Sequence, residues 1–259
     1  MSRSLSRALS ILELYNGRKG EWGISDISRE LDLPKSTVHG LVTTLEKNRY
    51  LEKTENSRYR LGMKIYELGM TYQASARLGS VAEPHVKSLA DKYHQSVHIA
   101  IYAGRMAVFV IGNKTGTSHV IFPRVGASIV AYCTGVGKVL LAWQSAAHIE
   151  EYLQFEELQP YTKNTITEPQ QLREELQQIR KCGYAVDREE TVIGIACVAA
   201  PIFGSSNQVI AALSVSGEAN LILNEKLQEC ITDVCHAAKA ITIAMGYRGD
   251  EYPPPYPSL

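Results

Sequence analysis

The stretch Gly183-Tyr-Ala-Val-Asp187-Arg-Glu-Glu190-Thr-Val-Ile-Gly-Ile-Ala-Cys197-Val-Ala-Ala-Pro201-Ile-Phe203 constrains the fold more than any other part of the chain. It sets a glycine, two acids and a cysteine at fixed spacing along a segment that otherwise reads as core strand. The helical pattern before it, about residues 168–182, ends at Gly183, a residue free to take the left-handed conformation of a helix C-cap. Strands Val192–Phe203 and Gln208–Ser216 are expected on either side of the turn Gly204-Ser-Ser-Asn207.

More elements of the same kind lie upstream. A helix is expected from about Ser80 to His94 with Pro84 in its first turn, then strands Ser96–Ala103 and Arg105–Asn113 joined as a hairpin at Gly104. A third strand is expected around His119–Pro123. A helix begins at Thr134-Gly135-Val136-Gly137-Lys138 and runs through Trp143, another covers about His148–Leu153, and a last one spans Asn224–Met245. Partly segregated strands and helices predict an α+β domain with an antiparallel sheet over residues 80–249. The tail 250–259, with Tyr252-Pro-Pro-Pro-Tyr-Pro, reads as extended or disordered.

The N-terminal part has a different pattern. Leu5, Ala8, Leu9, Ile11, Leu12, Leu14 and Tyr15 recur at helical spacing up to Asn16-Gly17. Ser25 is placed to cap a short helix with Ile27 and Leu31 inward. Asp32 tolerates a left-handed turn and Pro34 presets the start of a second helix from Lys35 to Asn48. Val38, Leu41, Val42 and Leu45 face its core, leaving Lys35, Ser36, Thr37, His39, Gly40, Thr43 and Thr44 outward. Short donors near a helix N-terminus suit a reader of the DNA major groove. Two short segments around Glu55-Asn56-Ser57 form a wing, which brings Lys53, Arg58 and Arg60 toward phosphate. Residues 1–62 thus read as a winged helix-turn-helix; two helices and a hairpin without DNA are the bland alternative.

Charge agrees with this division. The whole chain of 259 residues has 27 basic and 27 acidic side chains, yet residues 1–62 carry 11 Lys+Arg against 8 Asp+Glu. A weakly basic first domain is compatible with nucleic acid. Residues 63–79 form a linker helix whose apolar surface, with Met63, Ile65, Tyr66, Leu68 and Met70, predicts contact with a second subunit, since helix-turn-helix dimers read half-sites about 34 Å apart.

Several chemistries find little support. No run approaches the roughly 18 apolar residues of a membrane span, and the N-terminus lacks a signal peptide's apolar segment, so a cytoplasmic protein is expected. Five cysteines without a Cys-x-x-Cys pair predict reduced thiols. The histidines show no metal-ligand spacing, and Thr134–Lys138 lacks the full phosphate-loop pattern. Cys197 with Asp187 evokes nucleophilic catalysis, but no histidine lies near in sequence. No catalytic residue, metal or cofactor is assigned.

Taken over Leu5 to about Gly246, the chain resembles the IclR-type bacterial transcriptional regulators. The specific part of the match is Gly183-x3-Asp187-x2-Glu190-x6-Cys197 followed by Val-Ala-Ala-Pro-Ile-Phe. Leu-Pro-Lys-Ser-Thr-Val-His39, Tyr59-Arg-Leu-Gly62 and Gly-x-Gly-Lys138 agree with it. The resemblance implies a GAF-like effector domain, dimers that often pair into tetramers, and no enzymatic activity. It also implies that an anionic small molecule meets the amides of Gly135 and Val136, after Tyr132-Cys133-Thr134, with Asp187, Cys197, Ser214 and Ser216 as the other contacts. Unpaired amides at a helix N-terminus favour a carboxylate on physical grounds too, and alternation puts Ser214 and Ser216 on one strand face. The chain departs from the pattern at Val130-Ala131-Tyr132, Gly40 and Gly204.

These readings converge on a regulator, more in the manner of a repressor, that binds a palindromic double-stranded operator under control of a small carboxylate. The alternative is a small-molecule-binding or hydrolytic enzyme whose N-terminal domain only mediates association.

Overall fold

Helices α1 (Arg3–Glu13), α2 (Ile24–Glu30) and α3 (Lys35–Lys47) turn one apolar side each onto Ile11, Tyr15, Ile27, Val38 and Val42, which with Leu51 and Tyr59 make a small core. The computed structural model describes residues 2–16, 19–75, 77–113, 124–249 and 252. Two compact units result, Met1–Ala76 and Arg77–Leu259.

In the first unit, strands β1 (Leu51–Lys53) and β2 (Tyr59–Leu61) pair antiparallel with Glu52 opposite Arg60. Trp22 exchanges both backbone hydrogen bonds with Tyr59, at 2.9 and 2.8 Å, so the segment before α2 adds a bridge to the wing. Asp32 has φ 50°, the left-handed turn expected between α2 and α3. The cap of α2 differs from expectation. Gly23 occupies the N-cap and its N–H donates to the Asp26 carboxylate at 3.4 Å, while Ser25 lies one residue inside the helix and is exposed. Leu5 and Leu9 of the apolar pattern in α1 are exposed at 61% and 51%. Helix α4 (Met63–Ser75) closes the unit and also exposes Met63, Tyr66 and Leu68.

The second unit begins with α5 (Leu78–Tyr93), so the helical break falls before Leu78 and not at Gly79-Ser80; Pro84 lies in the second turn rather than the first. Next come β3 (Ser96–Ala103), β4 (Met106–Asn113), β5 (Ser128–Val130), α6 (Gly135–Ala142), α7 (Ala146–Phe155), α8 (Pro169–Cys182), β6 (Ala185–Arg188), β7 (Ile195–Phe203), β8 (Val209–Glu218) and α9 (Leu227–Ala244), the last preceded by a π turn at Asn220–Glu225. The sheet order is β5-β4-β3-β8-β7-β6, antiparallel throughout. This is the expected α+β domain. The strand expected at 119–123 lies outside the described residues, as does the tail beyond Tyr252.

The motif region folds as a hairpin. Ala185–Arg188 is itself a strand, and β7 starts only at Ile195, because Glu189 (φ 64°) and Gly194 (φ 88°) turn the chain and leave Val192 and Ile193 exposed. Period-two alternation divides the sheet into two faces. Val97, Ile99, Val198, Ala200, Leu213 and Val215 pack on α5 and α9, while Ala100, Phe109, Cys197, Ala199 and Ala212 pack with α6. Tyr252 docks back on the sheet, donating its hydroxyl to the Pro201 carbonyl at 2.6 Å with its ring against Phe203. Among the described residues no helix is long and apolar enough to cross a membrane.

Candidate functional sites

On the α6 side of the sheet the strand register assembles two rows. Ser96, Ser216, Cys197 and Asp187 are successive cross-strand partners, and so are Gly112, His98, Ser214, Ala199 and Ala185. Sequence reasoning selected Asp187, Cys197, Ser214 and Ser216, and the register brings all four onto this face. Ser214 is buried, its hydroxyl 3.5 Å from the His98 carbonyl; Ser216 is half-buried.

Helix α6 points its N-terminus at these rows. A Cβ on Gly135 would lie 2.8 Å from Cys197 Sγ and 3.3 Å from Ala199 Cβ, so only glycine lets the helix start rest directly on β7. Thr134 is the N-cap, its hydroxyl accepting from the Gly137 N–H at 3.2 Å. The N–H groups of Gly135 and Val136 are first in the helix and have no intrahelical acceptor. Tyr132 is buried beside them and donates to the Gln159 carbonyl at 2.7 Å; burial pushes its phenol above the ordinary value, which keeps it a donor.

Sequence reasoning quoted Lys138 and Glu190 but gave them no role. Lys138 is 1% exposed and its ammonium donates to Glu190 at 2.6 Å, to Glu175 at 2.9 Å and to the Val186 carbonyl at 3.1 Å. Burial works to discharge the ammonium and the two carboxylates outweigh it, so Lys138 stays a cation. It is no phosphate ligand. The available signal was a lone lysine in Gly-Val-Gly-Lys-Val-Leu-Leu-Ala, since a charge on a helix apolar on every side needs a buried partner. Asp187 accepts from the Glu190 N–H at 2.8 Å. Burial, with Glu190's charge adding to it, pushes the Asp187 carboxyl up to about 7 against the pull of that hydrogen bond, Lys138 and Thr191. Burial also pushes the Cys197 thiol up to about 12, leaving no thiolate for nucleophilic chemistry.

The loop between α7 and α8 straps the turn that carries Glu190. Thr162 and Thr165 donate to the carbonyls of Glu189 and Glu190 at 2.7 and 2.6 Å, and the Asn164 amide donates to the Arg188 carbonyl at 3.0 Å.

In the first unit, α3 exposes Lys35, Ser36, His39, Gly40 and Thr43, with Thr37 half-buried. Lys53 and Arg60 stand exposed on the wing, Arg60 in a 3.1 Å pair with Glu52. Arg58 is tied more firmly: it donates to Asp26 at 2.6 Å and to the Glu21 carbonyl at 3.2 Å, joining the wing to the first turn of α2.

Both units match known families. Residues 4–55 match the IclR helix-turn-helix domain and residues 70–243 the C-terminal domain of bacterial IclR transcriptional regulators. The chain belongs to the IclR family. It is 33% identical to the HTH-type transcriptional regulator XynR of Escherichia coli over 95% of this chain and 98% of that one. It is 28% identical to the transcriptional repressor IclR of the same organism, covering 94% and 90%. Among solved structures, the IclR protein of Thermotoga maritima superposes with a TM-score of 0.73 at 31% identity, covering 94% and 99%. An IclR homologue from Microbacterium hydrocarbonoxydans, complexed with 4-hydroxybenzoate, superposes with a TM-score of 0.85 at 25% identity, covering 93% and 98%. As a family member the chain is a transcriptional regulator, with an N-terminal DNA-binding domain and a C-terminal effector domain, and not an enzyme.

Proposed function

We propose that the chain is a repressor whose operator affinity is set by a small carboxylate bound on the α6 face of the second unit. The observation that carries this reading is the contact of Gly135 with β7, which sets two free helix-start amides over the row that holds Cys197, Ser216 and Asp187. The carboxylate meets the amides of Gly135 and Val136, while Asp187, Ser214 and Ser216 hold the ligand's other polar end and Tyr132, Thr134 and Cys197 line it. A carboxylate is also what the 4-hydroxybenzoate of the Microbacterium homologue offers. Repression is supported by the similarity to a named repressor.

On DNA, Ser36, Thr37 and His39 read bases, helped by Lys35, Gly40 and Thr43, while Ser25, Lys53, Arg58 and Arg60 face phosphate. The exposed apolar side chains Leu5, Leu9, Met63, Tyr66 and Leu68 of the first unit support a homodimer on a palindromic operator, and dimers pairing into tetramers. Replacing Ser36, Thr37 and His39 together with Ala should abolish specific binding while leaving the ligand response intact. A thermal-shift screen of small carboxylates, 4-hydroxybenzoate included, should find a ligand that raises the melting point of the second unit. Calorimetric titration of that ligand with and without operator then gives the sign of coupling, because a ligand that weakens operator binding must bind less well when operator is present. Equal affinities in the two titrations sink the assignment of that acid as effector.

A further inference from the structure

We propose that binding of an anionic effector is coupled to uptake of one proton by Asp187, within its buried cluster with Glu190, Lys138 and Glu175. This rests on the reading above that the ligand's carboxylate meets Gly135 and Val136.

The cluster holds three carboxyl groups and one ammonium. Every N–H of Lys138 has an acceptor already, in Glu190, Glu175 and the Val186 carbonyl, so none is left for Asp187. Glu175 has a side chain 31% exposed and is helped by water. Asp187 is only 5% exposed, and its donors are the Glu190 N–H and Thr191, neither of them a cation. The second oxygen of Glu190, in a residue 3% exposed, is buried without a hydrogen-bond partner, so acceptors already outnumber donors here. A proton on Asp187 removes one negative charge and adds one donor. The cluster has negative charge in excess and donors in deficit.

The groups facing Asp187 come from several elements: Glu190 and Thr191 from the following turn, Lys138 from α6, Cys197 from β7, and Cys133 from the residues before α6, while Glu175 of α8 reaches the cluster through Lys138. Burial pushes both thiols up to about 12, so neither adds charge near neutrality. Asp187 is pushed up to about 7 before any ligand arrives. Cys197, its register partner, is the residue on which Gly135 rests. A ligand carboxylate at that amide therefore brings a further negative charge against the strand next to Asp187, and a like charge favours the protonated acid. The carboxylate of Asp187 takes the proton from solvent, and no other bond changes. Affinity for the anion is then greatest below pH 7 and falls above it, by up to about tenfold per pH unit while free and bound forms differ by one proton.

The test is calorimetry of the full chain with 4-hydroxybenzoate, or with the tightest acid of the thermal-shift panel, at about pH 8 in two buffers of different ionisation enthalpy. The expected result is an apparent enthalpy that depends on buffer and reports net proton uptake, up to one, with none for the neutral amide of the same acid. Asp187→Asn should bind the acid at that pH without buffer dependence, whatever its affinity. A native chain whose enthalpy ignores the buffer, and whose affinity is flat from about pH 6 to 9, overturns the coupling; this measurement needs no variant to fold. Ser214→Ala separates the two readings. Weaker binding in that variant, with no proton uptake by the native chain, leaves the site and removes the coupling. Binding that ignores Ser214→Ala, or no acid bound at any pH, removes both.

Discussion

The first unit keeps the residues assigned to DNA on the outside of its core, whereas the second draws Lys138, Glu190 and Asp187 into the face of its own sheet. Exposed groups such as Lys35 and Ser36 can change with little effect on folding, because water solvates them in folded and unfolded chains alike. Buried groups are coupled to one another and to stability. The difference teaches that, under the proposed roles, changes to the DNA face and to the buried cluster carry different stability costs, although both domains are built on ordinary apolar patterning.

The sharpest way to break that contrast is Lys138→Met. Removing the ammonium leaves Glu190 buried without its partner, and a loss of about 3–5 kcal/mol is expected in the second unit. Calorimetric unfolding checks it; a change no larger than that of Lys35→Ala, within about 0.5 kcal/mol, would mean that the cluster is not a stability element.

Asp187→Asn gives a smaller effect with a defined pH window. The folded-state value is raised to about 7 from 3.8, so between these limits the folded chain keeps a proton that the unfolded chain has lost. Native stability should therefore fall as pH rises across that window and level off above it. The asparagine variant lacks this slope. Parallel urea melts across the window would show no difference between the two proteins if Asp187 is not buried as described.

Ser214→Ala should weaken carboxylate binding by about 1–2 kcal/mol, the cost of one buried hydrogen bond, while operator binding by the ligand-free protein survives. Gel retardation alongside calorimetry measures both.

At the exposed end of the scale, Arg60→Ala should leave stability within about 0.5 kcal/mol and reduce the salt slope of DNA binding by about one phosphate contact. Arg58→Ala sharpens the comparison inside the first unit. Its bond to Asp26 holds that carboxyl below the ordinary range, so a loss of folding stability should accompany any loss of DNA affinity. Equal stability of the two variants would show that the tie to Asp26 contributes nothing.

Local rules explain what was readable beforehand. The β3–β4 hairpin follows from alternation around Gly104, and α8 ends where Gly183 reaches φ 81°. Helix α3 shows Val38 and Val42 inward as its period requires. Errors arose where packing or backbone conformation overrode pattern. Val192 and Ile193 look like strand residues, but the positive φ of Glu189 and Gly194 turns them outward. Leu5 and Leu9 belong to the apolar spacing of α1 but fall well round the helix from Ile11, so they are exposed while the core of this unit closes on Ile11 and Tyr15. The candidate site was half legible. Asp187, Cys197 and the serines were placed by resemblance and strand alternation, and the register then put them in rows. The Lys138 cluster joins residues 138, 175 and 190 from three elements, a juxtaposition no local period encodes.

The contact of Gly135 with β7 has a consequence for inherited variation. An alanine there drives its methyl against Cys197 Sγ and lifts the helix start from the strand. Under the repressor reading, alleles that still silence their genes but no longer answer the inducer should collect at position 135. Their partial revertants should appear at position 197, where Cys197→Ala removes the sulfur that the methyl strikes and leaves only the closer fit to Ala199. The two positions would then drift as a pair between lineages, each change tolerated in the company of the other.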